Sequence, residues 1–204
     1  STQGYSSAAS DVYKRQILNN LTLKKTLLLH SCCAPCSSYV LQYLNDYFNI
    51  TVLYYNPNIT DENEYLKRKT EQVRLIGEMP AHNKIDILDC DYDPRSFFDI
   101  AKGLESCPEG GERCYKCYRL RMEKAAQLAK DLGYDYFCTT LTISPLKNAA
   151  KINEIGESLS EKYGVEFLPS DFKKKEGFKR SIELSHKYNL YRQNYCGCIY
   201  SRPE

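Results

Sequence analysis

The sequence has no apolar run of 18 residues and no apolar h-region followed by a cleavage pattern, so it offers neither a membrane span nor a secretory signal. A cytoplasmic protein is expected. It also lacks the glycine-rich signature G-x-x-x-x-G-K-[ST], and with it the loop that would cradle the phosphates of ATP. Charge of one sign is missing too: 28 basic against 26 acidic residues leave a formal +2. No global field therefore demands nucleic acid, and an RNA-binding surface has to be a local patch. Repeats and low-complexity tracts are absent. A chain of 204 residues without them suits one domain with a real core.

Cysteine is what the chain has in quantity, with ten. Disulfide scaffolds are small and loop-rich, whereas this chain has long helical and strand-like segments, so reduced thiols that bind metal fit better. The organising stretch is Leu27-Leu28-Leu29-His30-Ser31-Cys32-Cys33-Ala34-Pro35-Cys36-Ser37-Ser38. Thr26 to His30 reads as a strand, and Ser37 or Ser38 as the cap of a helix that buries Val40, Leu41 and Leu44. In an open α/β sheet such a loop meets the positive end of the next helix, which favours thiolates and other anions.

The remaining pattern alternates. Ile50 to Tyr55 is a strand stopped at Asn56-Pro57-Asn58. Thr60-Asp61 opens a helix to about Gly77 with Tyr65, Leu66, Val73 and Ile76 on its apolar side. His82 to Leu88 is a strand, Asp93-Pro94 starts a short helix, and Leu104 to Glu112 is a loop. A long helix then runs to Leu132. Strands at Tyr136 to Thr140 and Val165 to Leu168 alternate with helices at Lys147 to Tyr163 and Lys175 to Tyr188. With right-handed crossovers this is an α/β fold with a doubly wound, mostly parallel, Rossmann-like sheet. Residues 1–23 are polar without a clear period and read as a leader extraneous to the fold; residues 24–204 form the single α/β domain.

Cys114 and Cys117, three apart at a helix start, can turn both sulfurs toward one metal centre. If their loop and the Cys32-Cys33-Cys36 loop open on the same sheet edge, four thiolates can hold zinc or an iron-sulfur cluster, and spacing does not choose between them. A structural zinc needs only four cysteines and explains neither the adjacent Cys32-Cys33 nor Cys196-Gly197-Cys198. Cys33-Ala34-Pro35-Cys36 also has the form of a thioredoxin-like dithiol, though with an extra cysteine before it and no preceding βαβ unit. Cys90 and Cys138 read as small buried residues, and Cys107 as a reserve ligand. Asp61, Tyr195 and His30 are proton-donor candidates whose ordinary roles would be cap, packing and structure.

Three segments carry a resemblance: Leu29-His30-Ser31-Cys32-Cys33-Ala34-Pro35-Cys36, Glu112-Arg113-Cys114-Tyr115-Lys116-Cys117-Tyr118-Arg119 and Tyr191-Arg192-Gln193-Asn194-Tyr195-Cys196-Gly197-Cys198. With Asn56-Pro57-Asn58-Ile59, Glu64-Tyr65, Arg68, and Thr139-Thr140-Leu141-Thr142-Ile143-Ser144-Pro145 with Lys147, the chain resembles the epoxyqueuosine reductase QueH family from about Leu27 to Ser201. The resemblance implies a cobalamin-independent oxidoreductase of queuosine biosynthesis that acts on tRNA bearing epoxyqueuosine, with electrons from an unidentified donor. It implies a [4Fe-4S] cluster on Cys32, Cys33, Cys114 and Cys117 and an adjacent mononuclear iron. Cys36, Cys196 and Cys198 are then catalytic, either as ligands of that iron or, for Cys196 and Cys198, as a redox-active disulfide-forming pair. Asn58, Tyr65, Arg68, Arg119, Lys147, Arg180 and Arg192 are the expected substrate-binding residues. The implied sheet is similar to that of adenine-nucleotide α-hydrolase-like proteins, with cysteines where those place a phosphate loop. Lys173-Lys174-Lys175, Lys179 and Arg180 form the densest basic cluster, suited to phosphate, and Tyr54 or Tyr55 could stack on an unstacked base. The rivals are a zinc-stabilised RNA-binding module and a thiol-disulfide oxidoreductase.

Overall fold

The apolar run before the cysteines becomes the central strand of the sheet in the computed structural model, which describes residues 7–19 and 24–202. Strand β1 (Lys25–His30) has Leu27, Leu28 and Leu29 fully buried, as expected for a strand covered on both faces. Strands β2 (Phe48–Tyr54), β3 (Ile85–Asp89), β4 (Tyr136–Thr139) and β5 (Glu166–Phe167) complete a sheet of order β3-β2-β1-β4-β5. Every pairing is parallel, with Leu29 opposite Val52 on one side and Cys138 on the other. The order runs outward in both directions from β1. Its topological switch point therefore lies between β1 and β4, where doubly wound folds bind their ligands.

Helices α2 (Ala34–Leu44), α3 (Glu62–Glu78) and α7 (Gly177–Lys187) cover one face. There Leu27 and Leu29 pack with Leu41, Leu44, Leu75 and Phe172. Helices α5 (Glu112–Asp131) and α6 (Ala149–Tyr163) cover the other, where Leu28 and Phe137 meet Met122, Ala125, Ala126, Ile152 and Leu159. The alternation of side chains along β1 thus divides the core in two. The short α4 (Arg95–Ala101) leads into the loop before α5. Packing is close at Gly156 of α6, where an added Cβ would stand 2.4 Å from the Phe167 ring.

Several boundaries differ from expectation for identifiable reasons. Helix α2 begins at Ala34 with Cys33 as its cap and Pro35 in the first turn, a position proline tolerates. Ser37 and Ser38 are therefore inside the helix, and their hydroxyls donate back to the carbonyls of Ala34 (3.1 Å) and Pro35 (2.9 Å). Leu66 and Val73, expected on the apolar side of α3, are exposed; the buried row is Tyr65, Arg68, Gln72 and Leu75. Polar residues in that row signal a site rather than plain core. Lys175 and Glu176 have φ of 51° and 61°, so α7 starts only at Gly177. Helix α1 (Ser7–Asn19), for which the leader showed no period, buries Leu18 and sets Lys14 over the rings of Tyr43 and Phe172. The remainder of the expected leader, 1–6 and 20–23, lies outside the described residues. Among the described residues no helix is long and apolar enough to cross a membrane.

Candidate metal centre

The loop leaving β1 and the first turn of α2 hold Cys32, Cys33 and Cys36 with their three Sγ atoms all within 4.8 Å of one another. That triad can hold a metal ion. The first turn of α5 brings Cys114 and Cys117, and the irregular segment after α7 brings Cys196 and Cys198. These four line one cavity together with Asn58 and Tyr118. Cys196 also lines the neighbouring cavity of about 190 Å³ with Cys32, Cys36, Arg121 and Lys147. Seven cysteines from three distant segments thus meet along one crevice at the switch point. Cys90, Cys107 and Cys138 stand apart from it; Cys138 is buried in β4, donating to Leu168 O, and Cys107 sits on the loop that Arg113 braces. All ten cysteines are unpaired thiols.

The surroundings of the crevice are cationic. The Arg121 side chain is 1% exposed, and its guanidinium donates to Asn56 Oδ1 (2.7 Å), His30 Nε2 (3.3 Å) and Cys117 Sγ (4.0 Å). No carboxylate pairs with it among the described residues. Lys147, half-buried, likewise lines the cavity and has no ion-pair partner among the described residues. Burial works against both charges, but the thiols of Cys117, Cys32 and Cys196 around Arg121, and of Cys196, Cys32 and Cys36 around Lys147, hold both cations charged. A buried cation without an anion is costly, and thiolates are the anions this site can supply. Glu109, exposed at the rim, is the one carboxylate among the described residues that lines either cavity.

The thiols respond in different directions. Hydrogen bonds from Cys33 and Cys36, then the charges of Lys147 and Arg121, hold the Cys32 thiol well below its ordinary value in spite of burial. The same hydrogen bond to Cys32 pushes Cys33 up to about 12, and Cys36 rises for the same reason. Burial pushes Cys117 to about 12 and raises Cys114. A thioredoxin-like dithiol needs the opposite, a lowered first cysteine in Cys33-Ala34-Pro35-Cys36. No strand precedes β1 among the described residues to supply the βαβ unit of that motif either. A metal, which takes thiolates and expels their protons, suits the donor set and its cationic shell.

The expected contact residues divide. Asn58 is 1% exposed and reaches Cys196 O (3.5 Å), while its Oδ1 has no partner. Lys147 and Arg68 line the larger cavity. Tyr65 is buried in an aromatic stack between Tyr54 (5.4 Å) and Tyr92 (4.3 Å), so it packs the core instead of facing a substrate. Tyr54 is fully buried and cannot stack on a base, while Tyr55 is only half-buried. Arg119, exposed on α5, donates to Ser158 Oγ, and Arg180 pairs with Glu183, so neither lines the crevice; Arg192 is exposed beside it. The basic cluster is largely offset, with Lys173 on Asp171 and Lys179 on Glu176. Asp61 caps α3 by accepting from Glu64 N (3.0 Å). His30, lowered to about 3 by burial and then by Arg121, is held as the neutral imidazole, which is too weak an acid to serve as proton donor. The sequence reading missed Arg121, Asn56, Gln193 and Glu109. Arg121 follows Cys117 by four and so shares its helix face, a signal that was available.

Fold and site together define a doubly wound α/β domain whose switch-point crevice is equipped with thiols and cations for a metal centre. The family model described as Epoxyqueuosine reductase QueH matches residues 27–204, and the chain belongs to that family. Among similar proteins, an epoxyqueuosine reductase QueH of Streptococcus pyogenes serotype M1 is 43% identical over 182 residues, covering 88% of this chain and 71% of the relative. One from Staphylococcus epidermidis is 45% identical over 181 residues, 86% of this chain and 75% of the relative. A third, from Thermotoga maritima, is 34% identical over 182 residues, 88% and 91%.

Proposed function

We propose that the chain reduces the epoxide of epoxyqueuosine at the wobble position of a tRNA, in the cytoplasm, as the last step of queuosine formation. The observation that carries this reading is the convergence of seven cysteines on one crevice in which buried Arg121 and half-buried Lys147 have no carboxylate partner among the described residues. Cys32, Cys33, Cys114 and Cys117 hold a [4Fe-4S] cluster. Cys196 and Cys198, with Cys36, either hold an adjacent iron or cycle as a redox-active pair.

The reaction breaks both C–O bonds of the epoxide, consumes two electrons and two protons, leaves a cyclopentene and releases the oxygen as water. The cluster, when bound, supplies one-electron transfer, and the iron supplies Lewis acidity. Lys147 donates a hydrogen bond to the departing oxygen and carries its developing charge. Glu109, at the mouth, passes protons inward from solvent. Asn58, buried with a free amide oxygen, accepts from a substrate hydroxyl, and Arg192 meets a tRNA phosphate. Electrons come from an external donor, for which dithionite stands in.

The test is anaerobic purification, iron, zinc and sulfide analysis, and an absorbance spectrum before and after dithionite, followed by mass spectrometry of nucleosides from epoxyqueuosine-tRNA incubated with the reduced protein. Iron with acid-labile sulfide and conversion to queuosine are expected. Zinc alone, with RNA binding but no conversion, would identify a zinc-stabilised RNA-binding module; a metal-free protein that reduces disulfides would identify a thiol oxidoreductase.

A further inference from the structure

The segment from Tyr188 to Cys198 has neither helix nor strand, so its backbone groups need partners elsewhere, and side chains supply several of them. One face of α3 does this with four charged residues at helical spacing. Arg74 donates to Tyr188 O (3.1 Å) and Asn189 O (3.2 Å), and Glu71 accepts from Tyr191 N (2.8 Å). Glu64 accepts from the Tyr191 hydroxyl (3.1 Å). Arg68 sits within this row, between Glu64 and Glu71, is 2% exposed, and uses all three of its nitrogens inside the protein. Nε donates to Glu64 Oε1 (2.6 Å), Nη1 to Cys196 O (3.1 Å) and Nη2 to Tyr195 O (3.4 Å).

The turn it holds is itself narrow. Gly197 has φ +116°, and a Cβ there would lie 2.9 Å from Ile59 Cγ1 and 3.2 Å from Arg68 Nη1. Its carbonyl accepts from Thr60 N (3.2 Å), just before the cap of α3. On the far side, Gln193 Nε2 reaches Cys33 Sγ (2.9 Å). The segment is a strap tied to α3 at one edge and to the α2 cysteines at the other.

We infer that Arg68 is a positioning residue: its guanidinium fork fixes the strap on α3 and thereby sets where Cys196 and Cys198 stand, instead of contacting substrate. Two carbonyls one residue apart and one carboxylate require three N–H groups in a fixed plane, which a lysine ammonium does not supply. The catalytic part of this inference rests on the reductase reading; the anchoring part does not.

The test uses the reduced, metal-free full chain. Brief pulses of N-ethylmaleimide followed by peptide mass spectrometry give modification rates for Cys196 and Cys198, with buried Cys138 reporting global opening. In Arg68→Lys and Arg68→Gln the strap thiols should react about tenfold faster while Cys138 does not change, because two charge-assisted hydrogen bonds that oppose local opening are lost. In the loaded enzyme both variants should lose kcat with KM for tRNA within about twofold of wild type. Unchanged strap rates with a raised KM would make Arg68 a substrate contact and overturn the inference. A Cys138 rate rising in step with the others would overturn it too, since Arg68 would then support the whole fold. Wild-type protein without epoxyqueuosine turnover would sink the functional reading, and the labelling rates would still judge the anchor.

Discussion

If Arg121 is the counter-cation of the thiolate site, replacing it by Met should weaken metal binding far more than it alters the metal-free fold. Its Nη1 lies 4.0 Å from Cys117 Sγ. Unit charges at that distance in an effective dielectric of about 20 attract by about 4 kcal/mol. Three other effects are common to both states. Asn56 Oδ1 and His30 Nε2 lose a donor, at about 1–3 kcal/mol each, and the cost of burying the guanidinium, several kcal/mol, is relieved. These offset one another within the metal-free protein and cancel in the comparison of loaded with unloaded. Only the attraction to the thiolate survives, which amounts to about a thousandfold in affinity. Anaerobic titration of metal-free protein with Zn²⁺ against a competing chelator measures it directly. Arg121→Met should shift the competition midpoint by about three decades, and Arg121→Lys, which keeps the charge, by about one. A Met variant that binds within threefold of wild type would refute the assignment of Arg121 as the balancing charge.

Lys147→Met should lower kcat by about a hundredfold or more with KM for tRNA nearly unchanged, as for loss of one donor to a developing oxyanion, checked by single-turnover kinetics. Glu109→Gln should slow turnover while RNA binding, followed by anisotropy, stays constant. Gly156→Ala should destabilise by roughly 1–3 kcal/mol in spite of the better helix propensity of alanine, because Phe167 stands 2.4 Å from the new Cβ; urea unfolding reads the midpoint. His30 binds its proton less readily folded, at about 3, than unfolded, at about 6.5. Stability from this group is thus complete above pH 6.5 and is lost as pH falls toward 3, where the unfolded chain holds the extra proton. The urea midpoint of metal-free His30→Gln should fall less steeply than that of wild type across that window; identical slopes would contradict the burial.

The β1-loop-α2 unit and the alternation around it were legible because a short apolar run, a proline and helical periodicity are local facts. So was the place of Cys32, Cys33 and Cys36 at the carboxyl end of a strand, where doubly wound folds gather their ligand-binding loops. What escaped were assignments that depend on neighbours distant in the chain. Leu66 and Val73 obey helical periodicity, yet the face they share is solvent, and the buried face carries Arg68 and Gln72 because it meets the strap and the Ser31 and Ser37 hydroxyls. Arg68 stood among substrate residues by motif, whereas its nitrogens end on protein atoms. The lysines near Arg180 looked like an RNA patch, but partners two or three residues away take up several of their charges. Tyr54 and Tyr55 were indistinguishable as letters; strand register decided which one is interior.

The strand order has a consequence in time as well as in space. Because β1 is the first strand of the sheet and lies at its middle, it gains its β4 neighbour only after more than a hundred further residues have been made. Cys196 follows Cys32 by 164 residues, so at ordinary elongation rates roughly 8–33 s separate their synthesis. Throughout that interval Cys32, Cys33 and Cys36 are thiols without their distant counterparts. A centre that draws on all three segments can be completed only after the strap has been made, and until then these three cysteines are open to oxidants that act during translation.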